Sequence, residues 1–144
     1  MATVELRFSA LPEHVRTARL VAAAVARRAG VDEAVLDEVR LAVGEACSRA
    51  VGLHQAAGVT EPVRVALIEE EKQFSIEVGD EAPRSAPGDG ASGGAADMDV
   101  ETEEDEMGLA VISGLVDDVE VTAGEYGGLI RMTWPTTPPG VALT

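Results

Sequence analysis

The chain has 144 residues, enough for one domain with a hydrophobic core but too few for two full domains. Aromatic residues make up only 3% of it, so alanine, valine and leucine must build most of the core. The formal net charge of −15 repels nucleic acids and anionic membranes and favours basic protein surfaces as partners. The single cysteine excludes an internal disulfide, and neither a signal-peptide pattern nor a membrane-span pattern is visible, which predicts a cytoplasmic protein.

The first third of the chain predicts one strand followed by two helices. Apolar residues alternate with charged ones at about 3–9, as in a half-buried strand. Helical spacing of apolar residues then predicts a first helix near 12–29. A second helix begins at Asp32, a favourable N-cap, and ends around His54. Its apolar stripe consists of Leu36, Val39, Val43, Ala46 or Cys47, and Ala50.

The rest of the chain predicts two hairpins separated by a long loop and one helix. Residues 63–67 and 74–78 alternate on either side of a polar turn at 69–72. A short apolar run at 107–116 predicts a helix, and a closing hairpin follows from Val119 to Trp134. This order of elements predicts an α+β fold, a two-layer sandwich in which helices cover one face of an antiparallel-rich sheet.

The segment between the hairpins has a composition of its own. From Asp80 to Glu106 it holds ten acidic residues and one basic residue among glycine, alanine, serine and proline. We therefore predict a single domain over 1–135, with a mobile acidic lid at about 81–106 and a flexible tail at 136–144. A GxGxxG match at 88–93 lacks the preceding strand and following helix of a dinucleotide site. The alternating acids at 97–103 lack the glycine and glutamate of a calcium loop, since Thr102 and Gly108 occupy those positions.

Few other residues suggest chemistry on their own. His14 and His54 are forty residues apart with no cysteine or second histidine nearby, so neither belongs to a recognisable metal site. Cys47 lies on the apolar stripe of the second helix and is predicted to be a small buried side chain. Glu45 and Arg49 are four residues apart, so they share one helix face, either as an ion pair or as part of a site.

Five blocks of sequence, together with Arg19 on the first helix, resemble the anti-sigma-factor serine kinases of bacteria. That family belongs to the superfamily whose ATP-binding fold is shared with gyrase, a mismatch-repair ATPase and sensor histidine kinases, so the resemblance implies this histidine-kinase-like fold. It extends over roughly 4–134. The blocks are LRFSAL at 6–11, VRLAVGEACSRAV at 39–51, EVGDEAP at 77–83, MGLAVISGLVDDVEV at 107–121 and GGLIRM at 127–132.

The resemblance assigns family roles to three residues of the nucleotide site. It places Glu45 at the general base, Asp80 at the carboxylate that accepts from the adenine amino group, and Gly108 at the phosphate-binding glycine. Several neighbouring positions depart from the family pattern. Arg49 stands where the family has the asparagine that binds Mg²⁺, Ala82 and Arg84 replace two glycines near the adenine, and Glu104 and Glu106 replace an arginine and a glycine near the phosphates.

These departures from the family pattern all oppose the binding of Mg²⁺ and nucleotide. A guanidinium offers no lone pair to a hard cation, and it is always charged, so Arg49 opposes Mg²⁺. Carboxylates at 103–106 repel a polyphosphate at the position where a helix N-terminus would otherwise attract it. We therefore expect neither ATP nor Mg²⁺ as a cofactor, with the acidic lid folding back towards Arg49 as a hypothesis based on charge alone.

The resemblance also implies partners. In the family, a sigma factor and a small STAS-type anti-anti-sigma factor compete for a surface that includes an arginine at the position of Arg19, and relatives form homodimers. The leading hypothesis is an anti-sigma factor that acts by binding, with little or no kinase activity. The alternatives are an active ATP-dependent serine kinase of the anti-anti-sigma factor and a sensor domain that binds another ligand.

Overall fold

A computed structural model of the chain describes residues 2–83, 109–116 and 118–136. Its helices and strands follow the order that the sequence predicts. They are β1 (Ala2–Phe8), α1 (Val15–Ala29), α2 (Leu36–Ala57), β2 (Val63–Glu70), β3 (Gln73–Asp80), α3 (109–115), β4 (Asp118–Gly124) and β5 (Gly127–Pro135). Short 3-10 turns at Pro12–His14 and Glu33–Val35 lead into α1 and α2.

The five strands form one antiparallel sheet in the order β1-β2-β3-β5-β4, so β3 is the central strand. Helices α1 and α2 pack on each other and on this sheet. Alternate residues of the three inner strands supply the buried face of the sheet: Val63, Val65, Leu67, Phe74, Ile76, Val78, Ile130, Met132 and Trp134. The architecture is the α+β two-layer sandwich that the sequence predicts, and that prediction is confirmed.

Small side chains form the helical layer. The buried residues of α1 are Val15 and four alanines, and α2 buries three alanines and Cys47 among larger residues. Both helices end on a glycine with a left-handed backbone, Gly30 and Gly58, as helix C-termini commonly do. The largest aromatic contact in the core pairs Phe74 with Trp134, cross-strand neighbours whose ring centroids are 6.5 Å apart.

The opposite face of the sheet is polar. Arg131 of β5 donates to Glu77 Oε2 at 3.0 Å and to Glu70 Oε1 at 3.2 Å, bridging three strands. Ser75 and Thr133 are joined by a hydrogen bond of 3.0 Å beside this group. One solvated face is typical of an antiparallel sheet, because the helices cover only the other one.

Three predicted boundaries differ from the structure. Helix α2 continues past His54 to Ala57, because Gly58 rather than the histidine supplies the left-handed stop. Asp32 caps the 3-10 turn, where Oδ1 accepts from Ala34 N at 2.9 Å, and the α-helical hydrogen bonding of α2 begins only at Leu36. The predicted polar turn at 69–72 is tighter, since β2 extends to Glu70 and Lys72 turns the chain with φ of 68°.

Several predictions fall on residues that the structure does not describe. These are the acidic lid from residue 84 onward, the two motif-like stretches at 88–93 and 97–103, Gly108, and the tail beyond residue 136. Within the described residues, no helix is long and apolar enough to cross a membrane.

One close backbone contact fixes the end of β3. Gly127 begins β5 with φ of 126°, and a Cβ on it would lie 2.1 Å from the carbonyl oxygen of Asp80. No side chain fits at that distance, so a glycine is required there both for its backbone conformation and for space.

We predict that Gly127→Ala destabilises the protein by more than about 2 kcal/mol, because it combines left-handed strain with a backbone clash. Gly124→Ala is the matched control, because a Cβ on Gly124 meets nothing within 4 Å. Urea midpoints of the two variants measure the difference. Equal midpoints would show that the end of β3 can move away from Gly127 without loss.

Candidate functional site

The outer face of α2 carries two of the residues singled out from the sequence. Glu45 and Arg49 lie one turn apart on this helix, and both are half-buried. Arg49 has an interaction partner. The ion pairs that the structure shows among its described residues do not include Glu45.

Asp80 lies at the end of the central strand and is 3% exposed. Its Oδ1 accepts a hydrogen bond from Ala82 N at 3.0 Å, so the carboxylate folds back on the chain that follows it. Ala82 is itself buried. The carboxylate is thus held in one orientation, as a recognition group at this position would need to be.

His54 holds the same stretch of chain from the side of α2. Its ring is fully buried, and Glu81 N–H donates to Nε2 at 2.8 Å. Because Nε2 accepts, the proton of the neutral ring is on Nδ1, which donates to the carbonyl oxygen of Glu61 at 3.0 Å. The imidazole therefore ties the end of α2 to the start of β2 and to the residue after β3.

Further contacts from β2 and β5 hold the end of β3 and Glu81. Its Oε1 forms an ion pair of 3.2 Å with Arg64 Nη2 of β2, and the Arg64 guanidinium lies against Gly79, where a Cβ would approach Nη2 to 3.2 Å. Gly127 contacts the backbone of Asp80 from β5. We call Asp80, Glu81 and Ala82 the β3 tip; α2, β2 and β5 each contact it.

The structure therefore brings the β3 tip next to the last turns of α2. Arg49 precedes His54 by five residues on this helix, whereas Glu45 is roughly 13 Å from His54 along the axis at 1.5 Å per residue. Gly108, the third family position, lies outside the described ranges, as do Glu104 and Glu106. The structure thus brings together α2 and the end of β3, the two described elements that carry positions assigned by the sequence resemblance.

Arg19 is not the fully solvated helix charge that the simplest interpretation expects. The residue is half-buried on α1, and its side chain crosses α2 at Gly44, the residue before Glu45. Its Nε is inaccessible and has no hydrogen-bond partner among the residues that the structure describes. Arg19 therefore belongs to the groove between the two helices.

His54 is the residue that the sequence prediction missed. It lies four residues after Ala50 on the buried stripe of α2, so extending the predicted helix to Gly58 would have placed it in the core. A buried histidine needs hydrogen-bond partners, and that requirement was the available signal.

The described residues hold no group of three or more potential metal ligands. Cys47 is fully buried, as predicted, and burial raises the pKa of its thiol to about 12. A thiol that stays protonated is a poor nucleophile, so Cys47 serves the core rather than chemistry.

A family model for the histidine kinase-like ATPase domain matches residues 8–134. The chain belongs to this family. The match covers all three helices, strands β2 to β4 and nearly all of β5, but only the last residue of β1, and it confirms the superfamily that the sequence resemblance implies. None of the curated proteins searched matches the chain.

A solved structure with the same fold contains the RsbU and RsbW domains of Rv1364c from Mycobacterium tuberculosis. It aligns with a TM-score of 0.65 at 19% identity, covering 92% of this chain and 31% of that one. The chain thus spans about a third of the length of this similar protein. At this identity the likeness establishes the fold.

We predict that His54→Phe lowers stability by roughly 2–6 kcal/mol, because two buried backbone groups, Glu61 C=O and Glu81 N–H, each lose a partner at about 1–3 kcal/mol. His14→Phe is the control, since His14 is half-buried beside Phe8 with ring centroids 6.3 Å apart. Urea unfolding gives the stabilities, and amide exchange at Glu81 reports the lost bond. Retained slow exchange at Glu81 in His54→Phe would contradict the assignment.

Proposed function

We propose that this protein is an anti-sigma factor that sequesters a sigma factor by binding and is countered by a STAS-type anti-anti-sigma factor, without efficient ATP binding or kinase activity. Membership of the histidine kinase-like ATPase family supports the scaffold. The likeness to a structure that contains an RsbW domain, and the five sequence blocks that resemble anti-sigma kinases, support this branch of the family.

The observation that carries the proposal is Arg49 on the outer face of α2. A guanidinium has five donors and no acceptor, so it cannot coordinate Mg²⁺, and its fixed positive charge repels the ion. The residues present therefore do not fit a magnesium–ATP complex of the family type. Without the metal, the phosphates would lose their main counter-charge next to a chain of net charge −15.

The alternative function is an active serine kinase of the anti-anti-sigma factor. Glu45 favours it, because the general-base position of the family is retained on α2 and no ion pair of the described residues occupies it. This alternative requires the metal to be held by residues other than the one at position 49.

Helix α1 supplies the surface that the proposal needs. It carries four arginines, Arg16, Arg19, Arg27 and Arg28, and no acidic residue, in a chain whose acids otherwise outnumber its bases. Leu20 is 57% exposed on α1, and Leu41 is 51% exposed on α2. A basic helix with an exposed leucine attracts an acidic, partly apolar protein surface, although the net charge of the whole chain suggests the reverse.

We predict that calorimetric titration detects no ATP or ADP binding, with or without Mg²⁺. The reason is that the cationic side chain of Arg49 occupies the position where the family binds the metal. Arg49→Asn alone should not restore binding, since carboxylates at Glu104 and Glu106 still oppose the phosphates. A magnesium-dependent dissociation constant in the micromolar range would instead support the kinase alternative.

We predict that Arg19→Glu weakens binding to a sigma factor, to the anti-anti-sigma factor or to both by roughly 2–5 kcal/mol, as expected when one partner of a buried interface pair is reversed. Surface plasmon resonance with purified sigma factors and STAS-domain proteins from the same genome measures this loss.

Arg7→Glu makes the same charge change on an exposed residue of β1, outside α1, and should cost much less affinity. A thermal melt of each variant confirms folding. Wild-type affinity in Arg19→Glu for every binding partner would place the interface elsewhere.

A further inference from the structure

The Arg19 side chain packs closely against α2 at Gly44, where the helix has no side chain. A Cβ on Gly44 would lie 3.0 Å from Arg19 Cδ, 3.2 Å from Nε and 3.5 Å from Cγ. The middle of the Arg19 side chain thus packs against α2 at Gly44, with Cδ at closest approach. Contacts below 3.4 Å are tighter than a Cβ normally makes, so alanine at this position would force the arginine side chain to shift by a few tenths of an ångström.

Both members of this contact are unfavourable for stability. Glycine inside a helix destabilises it relative to alanine, and Gly44 lies nine residues into α2. The Nε of Arg19 is inaccessible and lacks a hydrogen-bond partner among the described residues, which is also unfavourable. Elsewhere the two helices contact the core through alanine and larger residues. Local features that oppose stability are typically retained where function requires them.

We propose that Gly44 is a positioning residue for partner binding: by lacking a side chain it seats Arg19 across α2 and holds the guanidinium ready for an acidic group of the partner. This inference rests on the proposed function. Arginine carries substantial rotamer freedom, and fixing a side chain before association removes an entropic penalty from binding. Arg19 is also one of the four arginines of α1, so the contact with Gly44 belongs to the basic helix described above.

The test compares two substitutions of the same kind on the same helix. Gly44→Ala adds a methyl group at the point where the Arg19 side chain packs against α2, whereas Gly52→Ala adds a Cβ that meets nothing within 4 Å. Both should raise or preserve the urea midpoint, since alanine favours a helix. Only Gly44→Ala should weaken binding to a purified sigma factor or STAS-domain protein, by about tenfold. In an Arg19→Ala background, Gly44→Ala should cause no further loss, because the two residues act through one contact.

A second measurement needs no partner. The Nε–H of a seated Arg19 should give a sharp, slowly exchanging proton–nitrogen signal in the wild type and in Gly52→Ala, and this signal should be lost in Gly44→Ala. Its persistence in Gly44→Ala would overturn the inference.

The binding results separate the two proposals. If Arg19→Glu weakens binding but Gly44→Ala binds as Gly52→Ala does, the positioning role of Gly44 is wrong and the proposed function stands. If neither Arg19→Glu nor Gly44→Ala changes the affinity, or if no purified sigma factor or STAS-domain protein binds the wild type, the proposed binding surface is wrong, and the Nε–H signal alone decides whether Gly44 positions Arg19.

Discussion

The packing of two helices through small side chains determines most of the molecule's features. With so few aromatic residues, the core depends on alanine and valine, and the buried surface of α1 is almost entirely alanine. Small residues let helices lie close together, which leaves little room for a long side chain between them. Arg19 packs against α2 at Gly44, where the helix has no side chain. Thus the composition of the core restricts where a cation can enter the groove.

The end of the central strand β3 is also held firmly by its neighbours. His54, Arg64 and Gly127 come from α2, β2 and β5, and all three contact Asp80 or Glu81. Rigid support of this kind suits a recognition site, since a group held in place loses little entropy when it binds. The chain keeps this support although the α2 face beside it carries Arg49. Under the proposed function, the chain retains the fold of the family without its nucleotide chemistry.

Local patterns were sufficient to predict the elements, because apolar periodicity reports which face of a helix or strand is buried. The stripe from Leu36 to Ala50 and the alternation around Val65 and Ile76 all lie in the core. The family positions Glu45 and Asp80 were found from motif blocks.

The contacts that organise the site could not be predicted in this way. His54 bonds to Glu81, 27 residues away, and Gly127 approaches Asp80 across the sheet. Arg19 meets Gly44 across a helix pair. Each contact depends on the relative placement of elements distant in sequence, for which a single sequence carries no direct signal. The composition of α1 did indicate a basic helix, but the net charge of −15 concealed it.

If the chain regulates by binding alone, its affinity for a sigma factor must be independent of nucleotide, because a ligand that does not bind cannot shift an equilibrium. The most direct measurement is the dissociation constant of the complex with a purified sigma factor, with and without excess Mg²⁺ and ATP. We predict the same constant under both conditions. A change of about fivefold or more, the lower range of typical allosteric coupling, would contradict regulation by binding alone and favour the kinase.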